Sequence, residues 1–186
     1  MSIEKIIATI PRSNEKQRKT MREHALTALQ TGDPKLVADA KTLLEELDYF
    51  EDKETQSQND AFKQTIANLI SASLEERVVT AFQADHPTDT ETKLIQVLLD
   101  YPNSTCSELS THIGWHPDAW DMGFGSICSQ RRAYFEAAAN PLRGDKSPNI
   151  PLLAFQVRDE NGKICYSMKP EAVEAFRLLG FRVQSA

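Results

Sequence analysis

The hydrophobic period of this chain changes from helical to alternating over one short stretch near its C-terminal end, and that change restricts the folds open to it. Up to about residue 138, apolar residues recur every three or four positions, the spacing of helices that bury one face. Across Leu153–Met168 the period becomes two: Leu153, Phe155 and Val157 alternate with Ala154, Gln156 and Arg158, and Ile164, Tyr166 and Met168 alternate with Cys165 and Ser167. Between these runs stands Glu160-Asn161-Gly162-Lys163. Asn-Gly tolerates the positive φ of a two-residue hairpin turn. Such a turn pairs Glu160 with Lys163, Val157 with Tyr166 and Phe155 with Met168, which sets the larger apolar side chains on one, core-facing side. The expectation is a mostly α-helical protein carrying a single β-hairpin.

The helical part divides into segments. Ile3, Ile6, Ile7 and Ile10 form a short apolar stripe stopped by Pro11, and Ser13 is placed to cap the next helix, which carries Met21, Ala25, Ala28 and Leu29. Thr31-Gly32-Asp33-Pro34 supplies a stop and a start together. Leu36, Val37, Ala40, Leu43, Leu44 and Leu47 mark the following helix. Glu51 to Asp60 holds no large apolar side chain and reads as a loop or a solvated helix extension. A further helix carries Phe62, Ile66, Leu69, Ile70, Leu74, Val78 and Phe82. The polar stretch Asp85-His86-Pro87-Thr88-Asp89 is the expected domain boundary, giving a helical module over 1–84 and a second domain over 85–186.

That second domain opens with two capping boxes, Thr88 with Glu91 and Thr105 with Glu108. Each precedes a helix, the first with Leu94, Ile95, Val97, Leu98 and Leu99, the second with Leu109 and Ile113. A third helix begins near Pro117 and runs towards Ala138. After a loop over 140–149 comes the hairpin, then a last helix opened by Pro170, with Val173, Phe176 and Leu179. Gly180 closes it, and Phe181 can fold back on Phe176.

Three helices followed by a two-stranded hairpin is an order that resembles the winged helix-turn-helix superfamily, over residues from about 90 to 168, with one trailing helix. The resemblance implies that the third helix enters a DNA major groove while the hairpin touches the flanking backbone. On a helical wheel Trp120, Phe124, Ile127, Tyr134 and Phe135 share one side. Arg131 falls within this stripe, about 20° from Trp120, and is expected to be a structural anchor paired with a carboxylate or with helix-end carbonyls. Ser126, Ser129 and Arg132 fall on the open side with Met122 and Gly125, and Gln130 at its margin; Ser126, Ser129, Gln130 and Arg132 are the candidate DNA contacts of the helix. Arg143, Lys146, Arg158 and Lys163 are the candidate phosphate contacts of the loop and hairpin.

The charge pattern is divided on this point. The 21 Lys and Arg stand against 27 Asp and Glu, a net charge of −6, which opposes nucleic-acid binding. The basic residues are sorted, however: residues 12–22 and 130–182 are net positive, while 85–121 carry Lys93 against seven acids. The leading expectation is a regulatory protein binding double-stranded DNA, with a homodimer through the N-terminal helices; the alternative is an adaptor whose winged helix binds protein. No cofactor is expected. Cys106, His112, His116 and Cys128 lack the spacing of a zinc site. Motifs for nucleophilic, phosphate-binding or metalloenzyme chemistry are missing, so an enzyme is not expected. No apolar run reaches the roughly 18–20 residues that span a bilayer, and the expected compartment is the cytoplasm.

Overall fold

The computed structural model describes residues 2–136 and 149–183. It is mostly helical, with one small three-stranded antiparallel sheet. No helix among the described residues is long and apolar enough to cross a membrane. The chain divides into two compact units, Met1–Lys63 and Gln64–Ala186. This division falls earlier than the boundary expected at residue 84. The physical reason lies in the helix Leu74–Ala84, whose Val78, Ala81 and Phe82 are buried in the core of the second unit.

The first unit contains α1 (Ile3–Ile7), a 3-10 turn over Ile10–Arg12, α2 (Glu15–Ala28) and most of α3 (Pro34–Asn68). Asn14, not Ser13, caps α2: its side chain accepts from the Gln17 N–H while the Gln17 side chain accepts from the Asn14 N–H. The terminal isoleucines dock on their own unit. Ile10 is buried with Ala25, Ala40, Leu43 and Leu47, and Ile3, Ile6 and Ile7 pack against the same cluster. Helix α3 runs unbroken through residues 51–60, so this polar stretch is the solvated extension. Acids along this part of α3 pair with α2: Glu54 with Arg18 at 2.9 Å, and Asp48 and Glu51 with Arg22.

The helix expected over Phe62–Phe82 is in fact two. Helix α3 ends at Asn68, and α4 (Leu74–Ala84) starts from a capping box between Ser73 and Glu76. Arg77 closes the break, its guanidinium donating to the carbonyls of Leu69, Ile70 and Phe135. The second unit continues with α5 (Asp89–Asp100), β1 (Ser104–Thr105), α6 (Cys106–His112), α7 (Ala119–Gln130) and α8 (Arg132–Glu136). After the segment outside the described residues come β2 (Ala154–Arg158), β3 (Ile164–Met168) and α9 (Pro170–Leu178). The boxes at Thr88 and Thr105 cap α5 and α6. The core is aromatic. Trp120 stacks on Phe124, Phe82 meets Phe176 edge-on, and Trp120 Nε1 donates to the Leu94 carbonyl at 3.0 Å. At the end of α9 the Phe181 N–H donates to the Phe176 carbonyl and the two rings pack at 5.2 Å.

The sheet order is β1–β3–β2. Its register corrects the expected one by a single residue: Gln156 stands opposite Tyr166, Val157 opposite Cys165 and Ala154 opposite Met168. The turn holds three residues rather than two. Asp159 pairs with Lys163, the Gly162 N–H donates to the Asp159 carbonyl, and Gly162 takes a φ of 77°. This is a type I turn closed by a glycine bulge. Asp159 selects it, since its carboxylate accepts from the N–H groups of both Asn161 and Lys163. The slip exchanges the faces. Ala154, with Tyr166 and Met168, turns to the core, while Phe155 and Val157 lie on the outer face, 50% and 61% exposed.

Candidate binding face on the third helix

Helix α7 is set by its approach. Gly114, at φ 73°, ends the α6 turn, the Trp115 N–H donates to the Ser110 carbonyl, and Asp118 sits at φ 67° immediately before Ala119. Ser110 is buried, and its hydroxyl accepts from the Trp120 N–H. Trp120, Phe124, Ile127 and Cys128 then face the core. The two glycines do not interrupt the helix. A Cβ on Gly123 would lie 2.8 Å from Leu94 Cδ1, so α7 and α5 approach closely enough here that Leu94 would have to shift to admit a side chain. Gly125, placed on the open side by the wheel, is buried.

The helix breaks at Arg131 instead. Arg131 is 1% exposed. Its Nη1 donates to Glu91 Oε1 at 2.7 Å, and its Nη2 reaches both the carbonyl and the carboxylate of Asp85 at 3.1 Å. The guanidinium lies over the Phe82 ring, 4.4 Å from its centroid. Glu91 supplies the carboxylate expected for this arginine. Burial pushes the Glu91 carboxyl up, but hydrogen bonds from Arg131 and the Thr88 backbone, with the arginine charge, outweigh it and hold the group below its ordinary value.

The remaining candidate contacts are distributed as follows. Ser126, Ser129 and Gln130 are exposed on α7 beside Met122, which is 78% exposed. The Ser129 hydroxyl donates to the Gly125 carbonyl and accepts from Asn149 Nδ2, and Gln130 Nε2 lies 3.4 Å from Ser126 Oγ. Arg132 is half-buried and donates from Nε to Glu136 Oε2 at 2.7 Å. Arg158 donates to the Gly162 carbonyl within the hairpin turn, and Lys163 is exposed next to it. Arg143 and Lys146 lie outside the described residues. Several arginines of the two basic stretches are paired with acids: Arg182 with Asp100, Arg177 with Glu174, and Arg18 and Arg22 with acids of α3.

A shallow cleft of about 330 Å³ lies between the start of α5 and α7, lined by Asp85, Thr90, Trp115, Ser126 and Gln130 among others. Sequence reasoning missed it, because Trp115 lies in the connection before α7 and carries no periodic signal. Burial pushes the Cys128 thiol up to about 12, and burial also raises Cys106, so neither is a ready thiolate. Among the described residues, no group of three or more His, Cys, Asp or Glu is arranged to hold a metal ion.

Comparison with protein-family models, with curated proteins and with solved structures finds no match in any of the three.

Proposed function

We propose that the second unit is a winged helix that serves as a protein-interaction module, an adaptor, with the open face of α7 as its contact surface. The order α5, β1, α6, α7, β2, β3, with β3 central in the sheet, supports the winged-helix reading. The observation that carries the function is the composition of the α7 face. It offers Met122, Ser126 and Gln130, and its leading end carries Asp118 and Asp121. In helix-turn-helix docking the leading end of the third helix approaches the bases, where two carboxylates repel phosphate. The arginines at the trailing end are held by Glu91, Asp85 and Glu136. An apolar anchor with hydroxyl and amide groups around it suits a protein partner, and the Trp115 cleft can accept one of that partner's side chains.

DNA binding is the second reading, favoured by Arg158 and Lys163 together at the hairpin turn. Titration of labelled random-sequence duplex with the whole protein, at low and at physiological salt, separates the two. The adaptor reading expects no saturable binding at either salt. It also expects a photo-crosslinking residue at position 122 to yield protein adducts in cells. Saturable binding that weakens steeply with salt, and loses about one unit of salt slope in Lys163→Ala, would overturn it in favour of DNA.

A further inference from the structure

Strand β2 is the terminal strand of the sheet among the described residues. Two bonds at the ends of its ladder fix its orientation: the Lys169 N–H donates to the Leu153 carbonyl at 2.9 Å, and the Asp159 N–H to the Lys163 carbonyl at 2.8 Å. Bonded pairs alternate along an antiparallel ladder. The odd-numbered residues of β2 therefore face β3, and the N–H and C=O groups of Gln156 and Arg158 point away from it, at the edge. Ala154 points the same way but is 1% exposed. Natural edges are commonly guarded by proline, bulges or outstanding charges. Here β2 contains no proline, and its one charge, Arg158, bends back to donate to the Gly162 carbonyl at 2.7 Å. Phe155 and Val157 stand exposed along this edge.

We infer that β2 pairs antiparallel with β2 of a second copy of the chain, about a two-fold axis at Val157. The strand is self-complementary in that register. Gln156 meets the partner's Arg158, and Arg158 the partner's Gln156, each pair exchanging both of its backbone bonds. Val157 lies directly against the partner's Val157, and each Phe155 is diagonal to the partner's Val157 on the same face, an aromatic and β-branched cluster of the kind that stabilises cross-strand pairs. No like charges meet, since Arg158 faces a neutral amide. An axis one residue earlier, at Gln156, would require the backbone of Ala154, which is buried. The pairing rests on the edge of β2 alone and is independent of the function proposed above.

Light scattering of the full chain over a concentration series tests the pairing. The mass should rise from 20.9 kDa towards twice that value. Val157→Lys should hold it at the single-chain value at concentrations where the parent is dimeric. Gln156→Pro, which removes one outward N–H and no bond to β3, should do the same, with far-UV circular dichroism confirming that both variants fold. Directly opposed, non-bonded antiparallel positions lie within disulfide reach. In a Cys165→Ser background, oxidised Val157→Cys should therefore run as a linked dimer and Phe155→Cys should not. A parent that stays monomeric, a dimer that survives Val157→Lys, or linkage through position 155 in place of 157 would each overturn the inference.

Discussion

Arg131 and Arg132 are neighbours in the chain with opposite surroundings. Arg131 is enclosed by Phe82, Asp85 and Glu91, while Arg132 lies at the surface with Glu136. Removing one partner of a buried pair leaves the other charge without compensation. Arg131→Ala should therefore cost about 3–5 kcal/mol, read as a loss of denaturation midpoint. Arg132→Ala removes an i,i+4 surface pair and should cost about 0.5 kcal/mol. Equal effects would show that the two environments are not as described. Glu91 adds a pH signature. Its folded pKa is lowered, so its contribution is fully present above the unfolded carboxyl value of about 4.3. It is lost as pH falls through the folded value. Between about pH 5 and pH 3 the parent should lose stability more steeply than Glu91→Gln. Identical pH profiles for the two proteins would refute this assignment. The position of Arg131 was legible in the sequence because a cation inside an apolar stripe has to be paired. Its partners were not, since nothing in local spacing joins position 131 to positions 85 and 91.

At the scale of elements, what could be read depended on whether the decisive interaction was local. Capping boxes at Thr88 and Thr105 involve side chains three residues apart, and both helix starts were readable from them. The Ser73–Glu76 box has the same form but lies inside a continuous apolar period, so the break between α3 and α4 was hidden. The hairpin shows the converse. Its two strands were readable, but Asp159, outside the expected turn, draws the chain into a three-residue loop and shifts every pair by one. Alternation favoured the larger apolar residues facing inward, yet Leu153 is buried just before the strand starts and Phe155 and Val157 face outward. In solution, close contact between Hα protons should join Gln156 to Tyr166, a non-bonded pair. The same contact between Val157 and Tyr166 would restore the two-residue turn. Gly162→Ala should cost about 1–2 kcal/mol, because φ at this position is positive.

At the scale of the whole molecule, the two units differ most in their cores. The first buries Ile10, Ala25, Ala40, Leu43 and Leu47, two of them alanines. The second buries a continuous cluster that includes Trp120, Phe124, Phe82, Phe176, Leu94 and Leu98. Stability follows the apolar area removed from water, at about 25 cal/mol per Å², against an entropy cost that every ordered residue incurs. The first unit gains far less per residue and should unfold at lower denaturant. The sequence provides the means to observe this. Both tryptophans, Trp115 and Trp120, belong to the second unit, while α2 and most of α3 belong to the first. Tryptophan fluorescence therefore reports the second unit alone, and far-UV circular dichroism reports the helices of both. On urea titration the dichroism should begin to fall before the fluorescence changes, with a second phase coincident with it. Ile10→Ala should move the first phase and leave the fluorescence midpoint where it was. Phe176→Ala should lower the fluorescence midpoint, by the equivalent of about 3–5 kcal/mol. Superimposable transitions in the parent, shifted together by both substitutions, would mean that the small core does not unfold separately from the large one.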